Sequence, residues 1–339
     1  GHRGAHLWRG SQAARREGDG PTHSSLMARS QPHDPRTVLA VSKALTVLRE
    51  PDPYAKAKKT DEVREEITSW ASESQGLAGV EEVNEFDLHE IPDKPARSSL
   101  VRIVPPRELK SLGKGGSLNS RKAILHSLTH IESWAVDLSW DIIARFTIAL
   151  DLPFGFVLDF ATVASDEARH FSLLRSRLEE LGGSYGDYPA HDGLWESAEE
   201  TSASCMSRLA VEHCVHEARG LDVLPQTIGR FRKNGDEATA VVLETVVYPE
   251  EITHCAAGLK WFAFLHVRDH CEGEEGDRDG CLLEIESLRI GETFSIADIL
   301  ERHGFDRAPL IESFHSCVRS HFHGRLKPPF NEEARARAG

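Results

Sequence analysis

The sequence predicts an all-α protein: a four-helix bundle with peripheral N- and C-terminal helices. Apolar residues recur at steps of three and four along four long segments between residues 119 and 268. Start and stop residues punctuate those segments, most clearly Pro153 and Gly182-Gly183. The polar residues that interrupt the stripes repeat. Glu132 lies 35 residues before Glu167-Ala168-Arg169-His170, and Glu217 lies 34 before Glu251-Ile252-Thr253-His254. The two halves are thus offset by 85 residues at the lone glutamate and by 84 at the Glu-x-x-His step.

Residues 1–36 are polar and aperiodic, and read as a disordered or targeting extension. Residues 37–118 hold N-terminal helices and a wrapping segment. A short helix is predicted over Thr37–Arg49, with Val38, Leu39, Val41, Leu45 and Leu48 apolar. A charged helix follows over Asp52–Ser72, burying Tyr54, Val63, Ile67 and Trp70. Prolines and glycines over residues 76–120 predict a long connection.

The bundle spans 119–268. Its first helix carries a stripe of Ile124, Leu128, Ile131, Ala135, Leu138, Ile142 and Phe146, interrupted by Glu132. The second is expected to be capped by Asp151, with Pro153 in its first turn, where the missing N–H costs nothing. Its seam runs Phe160, Val163, Glu167, His170, Leu174, Leu178 and Leu181 to a glycine stop. The third is predicted from about Glu199 to Arg232, aligning Met206, Ala210, His213, Glu217, Leu224 and Ile228. The fourth runs from about Asp236 to Val267, aligning Val247, Glu251, His254, Gly258, Phe262 and Leu265. Pro225 and Pro249 fall inside these two helices and predict a kink or bulge beside the glutamates. Residues 269–339 read as an acidic loop over Cys271–Gly280, two short helices at Ser295–His303 and Ala308–Phe322, and an extended ending.

Residues i and i+3 share a helix face, so each Glu-x-x-His step can address one cation. One glutamate from each of two helices, with Glu-x-x-His from the other two, is the ligand pattern of a dinuclear carboxylate site. Glu132, Glu167, His170, Glu217, Glu251 and His254 are the predicted ligands. Oxygen and imidazole donors without thiolate suit iron or manganese better than structural zinc. Metal-bound histidines usually donate their second N–H to a carboxylate. Crossed pairs are therefore expected from Asp166 to His254 and from Glu250 to His170, with His213 and Glu244 as further supporting residues on inward seams. His126, His130 and His216 read as satisfied, partly buried histidines. A third match, Glu312-Ser313-Phe314-His315, lacks a helical glutamate upstream and reads as a solvated face.

The chain is acidic, with a net charge of −14, which opposes a broad nucleic-acid surface. No apolar run reaches membrane-spanning length. Six cysteines without a C-x-x-C pair fit free thiols in a reducing, cytoplasmic compartment, or an organelle if residues 1–36 act as a transit segment. No phosphate-binding glycine motif is present. Gly182-Gly183-Ser184-Tyr185-Gly186 matches a nucleophile-elbow string, but it follows a helix end, not a strand, and reads as a stop.

Asp166-Glu167-Ala168-Arg169-His170 resembles the signature of the ferritin-like di-iron carboxylate superfamily. His126…His130-Ile131-Glu132, the run His216 to Asp222, and the terminal Pro328-Pro329-Phe330-Asn331 resemble domain of unknown function 455, over roughly residues 37–339. The resemblance implies a ferritin-like fold. It also implies two iron ions, with manganese or mixed manganese/iron as alternatives. The implied activity is an oxidoreductase that uses dioxygen to hydroxylate or oxidise a small molecule, fed by an electron donor. A non-catalytic metal-binding protein and a tRNA hydroxylase of modified adenosines, a more distant relative, are the alternatives it suggests.

Overall fold

The computed structural model describes residues 33–72, 91–270 and 277–339. Most of the predicted extension, part of the wrapping segment and most of the acidic loop lie outside these residues. The described chain is helical, and its sole β feature is an isolated bridge between Ile103 and Ala190. No described helix is long and apolar enough to cross a membrane.

Two N-terminal helices, α1 (Pro35–Leu48) and α2 (Pro53–Ser72), pack on α3 (Leu118–Phe146) and α4 (Phe154–Glu180). Asp34 caps α1 through the Arg36 backbone N–H. Trp140 Nε1 donates to Thr60 Oγ1 across the α2–α3 contact. Deeper, Lys56 and Arg97 converge on the fully buried Asp137 at 2.6 and 2.7 Å. Helices α3 and α4 run antiparallel along their lengths, and Lys122 near the start of α3 donates to the Gly182 carbonyl past the end of α4.

Helix α4 ends as its glycines predict. Gly182, at φ +76°, and Gly183 donate to the Glu179 and Leu178 carbonyls, the paired bonds that close a helix terminus. Its start differs from expectation. Pro153 is the residue before the first turn, with no side-chain cap, while Asp151 adopts φ +53° and bonds His33.

The third long segment is broken where the sequence reading ran straight through. Glu199 belongs to a separate helix, α5 (Gly193–Glu200). A new start follows at α6 (Cys205–Ala210), capped by Ser204. The chain then takes a π-helical turn over Val211–His216 and continues as α7 (Glu217–Lys233). The fourth segment repeats the device: α8 (Glu237–Val242), a π turn over Leu243–Val247, then α9 (Tyr248–His270). The second π turn abuts Pro249, as that proline predicts. The first lies well before Pro225, which sits in regular helix. Asn331 Nδ2 donates to the Leu221 carbonyl that Pro225 deprives of its helical partner.

The π turn on the third segment brings backbone against α9. A Cβ built on Gly258 would lie 2.1 Å from the His213 carbonyl oxygen and 2.8 Å from Cys214 Sγ. Only glycine tolerates this approach. Gly258→Ala is expected to destabilise the protein by about 2–3 kcal/mol, as overpacking does, and to lower its thermal midpoint by several degrees.

Helices α10 (Arg278–Ser287), α11 (Ile296–Arg302) and α12 (Arg307–His321) cover the far end. Residues 278–280, expected in a loop, open α10, with Asp277 as their cap. The extended ending leads into a further helix, α13 (Glu332–Arg337), capped by Asn331. Glu312 and His315 on α12 are exposed. The largest core cluster joins α1–α4, α6 and α9–α11, while α5, α7 and α8 bury their apolar residues in smaller clusters. Ile131 departs from the predicted stripe: it is 45% exposed, because this face of α3 borders a cavity and not the core.

Candidate metal centre

The four long segments bring six side chains together. Glu132 of α3, Glu167 and His170 of α4, Glu217 of α7, and Glu251 and His254 of α9 form two overlapping groups, Glu132–Glu167–His170–Glu251 and Glu167–Glu217–Glu251–His254. Within each group one ligand atom per residue lies within 4.8 Å of the others. Glu167 and Glu251 belong to both. This buried Glu/His cluster could hold a metal ion.

Both imidazoles face the carboxylates with Nδ1. His170 Nδ1 lies 3.2 Å from Glu167 and 3.7 Å from Glu251, and His254 Nδ1 lies 3.0 Å from the other Glu167 oxygen. Their Nε2 atoms point away, to Glu250 at 2.8 Å from His170 and to Asp166 at 3.5 Å from His254. Of the two crossed pairs read from the sequence, His170–Glu250 is a hydrogen bond, while Asp166 stands within ion-pair distance of His254 without a hydrogen bond of ordinary geometry. Arg169, which that reading passed over, places one guanidinium nitrogen 2.6 Å from both Asp166 and Glu250 and so ties the two acids together. Its signal was the i, i+3 spacing from Asp166.

Electrostatics inside the cluster are those of a site short of positive charge. Burial, reinforced by the Glu167 charge, pushes the Glu132 and Glu251 carboxyls well up and Glu217 to about 7. Burial also works to raise Glu167, but the nearby His254 charge and the His170 hydrogen bond outweigh it and hold that carboxyl well below the usual range. Against the pull of burial, Glu167 and Glu250 raise His170 to about 9, and Glu167 and Asp166 raise His254 further. Without a cation, the lowered Glu167 carboxyl thus stands between two raised imidazoles, while burial pushes the other three carboxyls toward their neutral forms. His254 Nδ1 still lacks a hydrogen bond of ordinary geometry. Hard oxygen donors, two imidazoles and an orphaned ring nitrogen fit divalent cations.

Of the remaining histidines near the cluster, His126 and His130 are satisfied core residues, whereas His216, expected to be satisfied, has an unpartnered Nε2. His130 Nε2 accepts from Trp134 Nε1, which leaves Nδ1–H to donate to Tyr185, and His126 accepts from the Gly186 N–H. Burial lowers these two to about 3 and about 4. His213 is buried edge-on against Phe160, lowered to about 3 mainly by burial, and its Nε2 has no partner. Glu244 does not support the cluster. It is exposed and accepts from Arg232 at 2.7 Å, because the π turn at Leu243–Val247 shifts the helical phase and rotates it outward.

Glu132, Glu167, Glu217 and Glu251 open onto a cavity of about 830 Å³. Its other walls come from the apolar face of α3, from α5, from the π turn before α7, and from residues 321–324. Sequence periodicity could not find it, since an apolar residue reads alike whether it faces a core or a cavity.

The tail completes this side. Asn331 reaches both Asp222 and Tyr248, and Arg335 binds Asp222 at 2.7 Å. Two of the segments that carry the family resemblance, the run ending at Asp222 and the terminal Pro-Pro-Phe-Asn, thus meet in space.

The chain matches the family described as "Protein of unknown function (DUF455)" over residues 49–339, and belongs to it. A Haemophilus influenzae protein, described as uncharacterized, is 38% identical over 144 residues. The aligned stretch covers 41% of this chain and about half (50%) of that relative. No solved structure matches the chain.

Proposed function

We propose that this DUF455 chain is a ferritin-like four-helix-bundle protein whose six-residue cluster holds two iron ions, with manganese or a mixed pair as alternatives, and that it oxidises or hydroxylates an organic substrate. One observation carries the reading: two ligand groups share Glu167 and Glu251 at the base of a cavity large enough for a small molecule. Glu132, Glu167, Glu217 and Glu251, with the Nδ1 atoms of His170 and His254, would hold the ions. Such a pair supplies dioxygen activation when electrons reach it from a donor.

The chain's own groups do the rest. Glu250 holds the Nε2–H side of His170 and Asp166 faces that of His254 at 3.5 Å, an arrangement that would leave each Nδ1 lone pair for a cation. Arg169 fixes both acids. Leu128, Ala135 and Leu138 make the α3 wall of the cavity apolar. Buried thiols at Cys205, Cys214 and Cys255 are in keeping with a reducing, cytoplasmic setting. The cavity lining includes Glu196 and Glu200, which disfavours a polyanionic tRNA substrate.

The test is oxygen uptake by protein loaded with ferrous ion and reduced by a chemical donor. Uptake abolished by Glu167→Ala/Glu251→Ala is expected. A protein that takes up and releases iron without consuming oxygen would instead be a metal-handling protein, the second reading.

A further inference from the structure

The cavity beside the Glu/His cluster has two ends of opposite character. Its wall follows α3 from Ala123 to Leu138, with Glu132 between them. At the Leu138 end stand α5, whose Trp195 stacks on Trp134, and the π turn before α7. Every lining acid outside the cluster, Glu196, Glu200 and Glu212, belongs to that end, where His323 pairs with Glu200 at 2.8 Å. The Ala123 end is bordered by residues 109–112, held where the Ser120 hydroxyl donates to the Leu112 carbonyl, and by Val223, Leu224 and Thr227 of α7. Outside the cluster, no acid lines this second end.

Three cations gather there instead. Lys110 lines the cavity itself. Arg230 continues the Val223–Thr227 face of α7 by one more turn. Lys114 lies beside Arg230, because Asn234 Nδ2 donates to the carbonyls of both. The acids that follow Arg230 are engaged elsewhere: Asp236 with Arg177 and Arg121, and Glu237 and Glu244 with Arg232. Glu108 is exposed and lies outside the lining. Among the described residues, Lys110, Lys114 and Arg230 pair with no carboxylate, and the Arg230 side chain donates only to Gln226. Between these cations and the cluster the surface is apolar, with Leu109, Leu112, Leu128, Val223 and Leu224. Leu112 is 41% and Val223 47% exposed, apolar area that a chain threaded along this arm would cover.

We propose that this arm binds an anionic amphiphile: a straight apolar chain whose carboxylate or phosphate head lies at Lys110, Lys114 and Arg230 and whose tail reaches the cluster. This rests on the reading of the cavity as the substrate site of the metal centre. Ala123 precedes Glu132 by nine residues of α3. That length of helix spans about 13 Å, which an extended chain covers in about eleven bonds. The acids at the α5 end oppose the reversed orientation.

The experiment measures binding of decanoate, decyl phosphate, decanol and decylamine by calorimetry, in metal-loaded protein so that the cluster carboxylates are engaged. At least one of the two anions is expected to bind about tenfold or more tightly than decanol, and decylamine most weakly. The stronger anion identifies the head that the site takes. Lys110→Gln/Lys114→Gln/Arg230→Gln should cost that anion about tenfold or more and leave decanol within about twofold. All three side chains lie outside the core, so the variant folds. Decanol binding as tightly as both anions would overturn the proposal. So would an anion preference that survives the variant, since it would place the head on the metal ions instead. Because binding is read without oxygen, the two readings fail separately. Selective anion binding without oxygen uptake overturns the oxidase reading alone, and oxygen uptake without anion preference overturns this one alone.

Discussion

Glu251→Ala is expected to abolish metal binding and yet leave the metal-free protein more stable than wild type, by about 1–2 kcal/mol. Glu251 is buried among carboxylates, and its own carboxyl is pushed well up by burial and by the Glu167 and Glu217 charges. Without a cation its carboxyl is driven toward the neutral form, a buried acid that contributes little. Glu167→Ala should do the reverse in metal-free buffer. Glu167 is the ionised partner of both imidazoles, at 3.2 Å from His170 and 3.0 Å from His254. Its loss leaves two buried positive rings uncompensated and costs about 3–5 kcal/mol. Both variants should lose the stabilisation that metal confers, about 2.7 kcal/mol at a metal concentration of 100 Kd. Thermal melts with chelator and with excess metal separate these effects. Two single variants equally destabilised in chelator would mean that the cluster is ordinary polar core.

Metal-free protein should lose stability as pH rises from about 5 to 9. Glu217, raised from 4.5 to about 7, and His170, raised from 6.5 to about 9, both bind a proton more tightly folded than unfolded. Such a group contributes fully below its unfolded value, and that contribution disappears as pH climbs through the folded one. Glu217 therefore acts between about 4.5 and 7, and His170 between about 6.5 and 9. Glu167, held low, acts only at acid pH and is constant across this window. The combined loss is of order 2–4 kcal/mol, given that the sites interact. Metal displaces these protons, so loaded protein should show a flatter profile, and binding should release protons. Calorimetric titration of metal in buffers of different ionisation enthalpy counts them. A metal-free profile that is level or rises over this range would contradict the assignment.

Much of this arrangement is legible in the sequence because one period governs it. Phe160, Val163, Glu167, His170, Leu174 and Leu178 alternate at steps of three and four and are all buried on α4. The same holds from Val247 through Leu265. Matched spacing across the halves is enough to bring the six residues to one place. What was not legible lies where the period breaks or carries no information. A π turn changes the phase of a helix, so Glu244 rotated outward without a pattern to betray it. Ser204 restarts a helix inside what reads as continuous periodicity, because a serine mid-segment is as compatible with a helix interior as with a cap. Ile131 continues an apolar stripe, but the stripe faces a cavity. Asn331 acts through a contact with Leu221 that is 110 residues away in sequence. No local pattern records that pairing.

The most direct test is the metal content of purified protein after anaerobic incubation with ferrous or manganous ion, measured beside the Glu167→Ala/Glu251→Ala double variant. The account predicts about two ions per chain in the wild type and none retained by the variant. No bound metal in wild-type protein, with the variant equally folded, would contradict it.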